Sequence, residues 1–359
     1  MHRRHFLHLG AISTLGLAGC LNQGTQGDAD TTTTSQTTTA TTAAATDEES
    51  RGVYIQSFVE GMYMAGMADA GPYKVGLMYT VPHEFWNVNG ASLQKTAIES
   101  SDSVHLMTTV WDPETGIVLP ESGVSVELAG QEEVIYPMLS QRMGFHYGDN
   151  MPLGDDGTYT ATVSVGGMNI RRTGAFAEKF GDPASTDIEF EFTKDTREQI
   201  SVTEIEEAGN PGSVKPMDMM MPLGFAPERD ALPGTLLGEA KSGDALFYAT
   251  LLSGGDVPAG IDAESYLAVS ARTPYNRFVL PAMALSGTLS RGGEEVYSGM
   301  FERTLDPDLN YHYGADVSGV ESGDTLTLTV ETPPQVARHE GYETAFLDTT
   351  PFEVTLSGQ

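Results

Sequence analysis

Two stretches of this chain repeat one another in the same order. Val118-Leu119-Pro120 recurs as Val279-Leu280-Pro281, 161 residues on, and Glu132-Glu133-Val134 with Met138 recurs as Glu294-Glu295-Val296 with Met300, 162 residues on. His146-Tyr147-Gly148 then recurs as His312-Tyr313-Gly314 at a spacing of 166, and Arg171-Arg172-x-Gly174 as Arg338-His339-x-Gly341 at 167. Collinear matches with one small insertion before the second His-Tyr-Gly predict a duplicated unit. The unit is a β-domain. Thr158 to Val165 and Asp324 to Val330 alternate polar and apolar residues with period two, as half-buried strands do. Short strands split by Gly, Pro and Asp, without a long amphipathic helix, favour antiparallel sandwiches. The expected fold is therefore all-β, two tandem antiparallel sandwiches. The first is expected over residues 51–197 and the second over 241–359, joined by a Met-, Pro- and Gly-containing connection over 198–240.

The N-terminus predicts an address. Residues 1–20 begin with a basic cluster, Arg3-Arg4-His5-Phe6-Leu7, of twin-arginine type and continue into an apolar run too short to span a bilayer. Leu17-Ala18-Gly19-Cys20 resembles a lipobox, so Cys20 is expected to carry lipid on the outer face of the cell membrane. Residues 21–50 are rich in threonine, with too little apolar surface to repay ordering of the backbone, and are expected to form a disordered stalk.

Lys plus Arg number 19 against 50 Asp plus Glu, a formal charge of −31 that disfavours nucleic acid and other polyanions. Such a surface stays hydrated in concentrated salt, which points to a halophilic source. Cys20 is the only cysteine, which excludes a disulfide framework and cysteine-ligated metal centres in the exported part. There is no G-x-S-x-G, P-loop or H-E-x-x-H element, and no catalytic activity is expected.

Five histidines lie beyond the signal: His83, His105, His146, His312 and His339. Two belong to the paired His-Tyr-Gly elements, each preceded by a methionine, Met138 or Met300. Imidazole suits Fe, Cu and Zn, whereas thioether sulfur is soft and selects copper. The competing reading makes the methionines core filler and lets the imidazoles satisfy turns. His105, at the start of a strand, reads as a packed or surface histidine rather than a ligand. Methionine clusters at Met62, Met64 and Met67 and at Met217 to Met221 read as packing.

The order of strand, methionine, His-Tyr-Gly followed by Asp or Asn, alternating strand and basic-His-x-Gly resembles the periplasmic immunoglobulin-like proteins of high-affinity iron uptake. Haloarchaeal lipoproteins described as iron transporters look closer still. In that family a methionine, the His-Tyr-Gly histidine, a late-loop histidine and an earlier histidine, with a nearby glutamate, bind copper or iron at a dimer interface. Carried over, the resemblance implies Met138, His146 and His83 with Glu84 in the first copy, and Met300, His312 and His339 in the second. The late-loop position of the first copy falls on Arg172, which cannot ligate, and the second copy's counterpart of His83 falls near Leu252. Each copy thus lacks a different ligand. The expectation is that the two copies imitate a homodimer within one chain, or assemble as a homo-oligomer, with one composite site. The implied role is capture of Fe or Cu and its delivery to a membrane iron permease. The alternative is a structural or adhesive envelope module.

Overall fold

The computed structural model describes residues 52–356, so the predicted signal, Cys20 and the threonine-rich segment lie outside the described residues. The described chain is almost entirely antiparallel β-structure in two sandwich halves. The first half contributes β1 (Tyr63–Ala70), β2 (Tyr73–Thr80), β3 (Val104–Trp111), β4 (Val124–Leu128), β5 (Gln131–Ser140), β6 (Gly144–Met151), β7 (Gly157–Val165) and β8 (Ala184–Phe192). The second contributes β9 (Thr235–Ser242), β10 (Ala245–Ser253), β11 (Ser265–Arg272), β12 (Ala284–Arg291), β13 (Glu294–Asp306), β14 (Asn310–Val317), β15 (Thr325–Thr332) and β16 (Phe352–Thr355). Neighbours run β8-β7-β4-β5-β6-β3-β2-β1 in one half and β16-β15-β12-β13-β14-β11-β10-β9 in the other, the same order position for position. Among the described residues no helix is long and apolar enough to cross a membrane.

The alternation read in β7 and β15 is the pleat at work. In Gly157–Val165 the apolar Ala161, Val163 and Val165 are buried while the intervening polar residues are not. Each half curls until its last strand packs on its first. A bulge in β1 between Met64 and Gly66 brings Gly66 so close to Ile188 of β8 that an added Cβ would lie 2.9 Å from the isoleucine methyl. The bulge between Leu236 and Gly238 repeats this contact with Val354 of β16 at 2.7 Å.

The halves are stitched together by two short exchanged strands. Arg171–Arg172, from the first half, pairs in parallel with β13 of the second, and Ala337–Arg338, from the second, pairs in parallel with β5 of the first. Buried side chains run continuously through both halves, with Phe278 of the second packed over Gly144 of the first.

Register corrects the alignment of the two methionines. Met138 pairs with His146 across β5 and β6, and its counterpart opposite His312 is Thr304. Met300 instead pairs with Ser286 on the outer face and is 56% exposed, as Val134 is in the first half at 75%. The β12–β13 hairpin is longer than β4–β5, so matching the Glu-Glu-Val tripeptides aligns the hairpins out of step. Likewise Arg338 pairs with Leu139 and Arg172 with Leu305, which sets His339 against Thr173 rather than Arg172.

Candidate metal centre

Three adjacent strands supply the floor. On β6 the residues His146, Gly148 and Asn150 share one face because side chains alternate. Directly paired residues also share a face, which adds Met138 of β5, opposite His146, and His105 of β3, opposite Asn150. Gly148 lies between them with no side chain. A Cβ there would stand 2.8 Å from His105 Nε2 and 3.2 Å from Met138 Sδ, so the glycine of His-Tyr-Gly leaves the cavity that these donors surround. The tyrosine of the motif serves the scaffold, since the Tyr147 hydroxyl accepts the Ser122 backbone N–H at 2.8 Å.

A wall and a lid complete the centre. His83 stands in the turn between β2 and the strand Phe85–Asn89, its backbone gripped by Asn150, whose amide donates to the His83 carbonyl at 2.9 Å. The lid comes from the other half. The pairing of Ala337–Arg338 with β5 carries the next residue, His339, across the floor, where its backbone N–H donates to the Leu139 carbonyl at 3.1 Å. Its Nε2 lies 3.3 Å from Met138 Sδ. The His83 ring centroid is 3.9 Å from that of His105 and 4.6 Å from that of His339, and His146 is 5.0 Å from His339. One ring nitrogen each from His83, His105 and His339 falls within 4.8 Å of the others.

Hydrogen bonding fixes which nitrogen of each ring is available. The Nδ1–H groups of His83, His146 and His105 donate to the Glu84 carbonyl at 3.3 Å, the Gly144 carbonyl at 3.1 Å and the Asn150 side-chain oxygen at 2.9 Å. That leaves each Nε2 with its lone pair, and among the described residues the buried Nε2 atoms of His83, His105 and His146 have no hydrogen-bond partner. Burial holds the imidazoles neutral. It pushes His83 and His146 down to about 4, and burial with neighbouring imidazoles, His83 foremost, holds His105 and His339 well below the usual histidine range. Orphaned buried acceptors are costly, and a cation satisfies all of them together. The donor chemistry, several neutral imidazoles and one thioether, suits a transition metal.

The structure thus brings together His83, Met138, His146 and His339, and leaves out three residues that the resemblance implied. The Glu84 carboxylate is drawn to the surface by Lys95 Nζ at 2.7 Å. Facing the cluster instead is Glu60, whose Oε1 lies 3.9 Å from His83 Nε2. Met300 is displaced by register, as described above. His312 is buried in the second half with its Nε2 2.9 Å from the Tyr266 hydroxyl. His105 is packed, as its strand position predicted, being fully buried, and its Nε2 also faces the cavity. Asn150, which orients both His83 and His105, and Glu60 were not legible as site residues. The one available signal was scarcity, since four of the five histidines beyond residue 20 converge here. A pocket of about 420 Å³, lined by Tyr54, Glu60, Trp86 and Glu340 among others, leads from solvent to His83 and His339.

Residues 230–355 match the model of a domain family of unknown function, DUF7350. No curated protein matches the chain. Among solved structures, the chain is similar to FetP of a uropathogenic Escherichia coli strain as isolated, with a TM-score of 0.30 and 20% identity over 37% of this chain and 97% of FetP. A copper-bound Glu-to-Gln variant of FetP gives a TM-score of 0.29 with the same identity and coverage.

Proposed function

We propose that this protein is an extracytoplasmic carrier that holds one copper or iron ion between its two halves and passes it to a membrane iron permease. The reading rests on three buried imidazole lone pairs without protein partners, converging beside a thioether under a histidine from the other half. His83, His105, Met138 and His146 would hold the ion from the first half and His339 from the second, with Glu60 at the entrance. The set contains no thiolate, so the ion is held by neutral donors that exchange more readily than a cysteine cage. The acidic surface concentrates cations at the pocket mouth. The twin-arginine signal and Cys20 would place the carrier on the outer face of the membrane, on a threonine-rich stalk.

Calorimetric titration with Cu(II) in molar NaCl tests the composite site. Wild type is expected to take one equivalent, and His146→Ala and His339→Ala each to lose most of the affinity. If His339→Ala binds as wild type while His146→Ala does not, the two halves do not share an ion.

A further inference from the structure

The position in the second half that corresponds to the metal centre is filled by the protein itself. Register equates Tyr266 with His105, Thr304 with Met138, His312 with His146, Gly314 with Gly148 and Asp316 with Asn150. The exchanged strands equate Arg171 with Ala337, because Arg171 pairs with Thr304 where Ala337 pairs with Met138. In the first half the small Ala337 clusters with Phe85 and Met138, and its methyl offers no polar group to the donors. In the second half the guanidinium of Arg171 reaches inward from that position. Its Nε donates to Thr304 Oγ1 at 3.2 Å, and its Nη2 to the Tyr266 hydroxyl at 3.1 Å and the Gly314 carbonyl at 3.3 Å. Its Nη1 lies 3.1 Å from Asp316 Oδ1 and 2.9 Å from Glu302 Oε2.

The guanidinium therefore contacts the counterparts of Met138, His105, Gly148 and Asn150. The remaining donor is capped at one remove. The Tyr266 hydroxyl accepts from Arg171 and donates to His312 Nε2 at 2.9 Å, while His312 Nδ1–H donates to the Asn310 carbonyl at 2.9 Å, as His146 does to Gly144. The late-loop residue is also withdrawn, since Thr173, the counterpart of His339, donates its hydroxyl to Asp306 at 2.7 Å. A carboxylate at Asp316, where the first half has an amide, balances the charge.

We infer that the second half carries a vestigial cation site in which the Arg171 guanidinium stands where an ion would sit, so that one end of the molecule is closed permanently by an internal cation. The chain then binds one metal ion rather than two, and the second exchanged strand is anchored without metal.

Two experiments decide this. In the first, Arg171→Ala, Tyr266→His and Thr304→Met are combined, and Co(II) equivalents per chain are counted by titration and by ligand-field absorption. The combined variant is expected to take one equivalent more than wild type; an unchanged count overturns the inference. The increment is read against wild type, so failure of wild type to bind any ion counts against the carrier reading alone. The second uses Arg171→Ala by itself. Loss of the partly buried cation, with its four hydrogen bonds, is expected to lower Tm by roughly 5–10 °C, and low-millimolar guanidinium chloride is expected to restore at least half of the loss. Restoration no greater than that given by equimolar NaCl overturns the inference, whether or not the triple variant folds.

Discussion

Replacing Gly148 by alanine separates the fold from the metal centre with one methyl group. The backbone at Gly148 is not left-handed, so alanine meets no conformational penalty there. The tightest conflict lies with a donor, since the new Cβ would sit 2.8 Å from His105 Nε2, with Met138 Sδ and the Leu106 carbonyl each at 3.2 Å. Ordinary contact begins at about 3.4 Å, so the imidazole must retreat by roughly 0.6 Å, about three times the ~0.2 Å tolerance of a metal–ligand distance. Disturbing ligand geometry typically costs ~10–100-fold in affinity, and two donors are disturbed, so we expect a loss of at least ~100-fold, or about 2.7 kcal/mol. The metal-free protein should lose only ~1–3 kcal/mol from overpacking. Competition against a chromophoric chelator gives the affinity, and urea unfolding of the metal-free protein gives the stability. Gly314→Ala is the control: its Cβ would collide with the Tyr266 hydroxyl, so stability falls while affinity at the metal centre is kept. If Gly148→Ala binds Cu(II) as tightly as wild type, the glycine does not shape a metal cavity and the donors do not act together.

Three further outcomes follow from the same geometry. Asn150→Ala removes the acceptor that fixes His105 Nδ1–H and the amide that grips His83, so affinity should fall ~10–100-fold with the ligands themselves intact, measured by the same competition. The metal-free protein should lose stability as pH falls: His83 and His146 are held near 4 in the fold against an ordinary 6.5, so below 6.5 the unfolded chain takes up protons that the folded chain refuses. The contribution of these groups is fully present above pH 6.5 and is lost toward pH 4, about 3 kcal/mol for each at most, visible as a falling urea midpoint. Tyr147→Phe deprives the buried Ser122 N–H of its acceptor and should cost ~1–3 kcal/mol in the same unfolding assay.

Period-two alternation in Thr158 to Val165 follows from the pleat, and local physics of that kind survives folding unchanged. The paired His-Tyr-Gly motifs were visible, yet their fates differ. His146 lies beside a cavity that Ala337 crosses, whereas His312 faces the hydroxyl of Tyr266, which the crossing Arg171 holds in turn. Neither crossing residue is near its histidine in sequence. Matching Met138 to Met300 failed for a related reason: identity over a tripeptide cannot register the added length of the β12–β13 hairpin, whereas backbone pairing does. Glu84 was chosen for its neighbourhood to His83, but adjacent side chains diverge, and Lys95 drew the carboxylate to the surface.

The order of residues along the chain sets the β-class and the available donor types, because these depend on local periodicity and residue chemistry. Tertiary structure alone decided which donors meet. Two short exchanged strands place residues from one half over the sheet of the other, and this long-range pairing sets His339 above Met138 at one end and Arg171 beside Thr304 at the other. Convergence of groups about two hundred residues apart is fixed by the packing of whole sheets, and no local pattern in the chain encodes it.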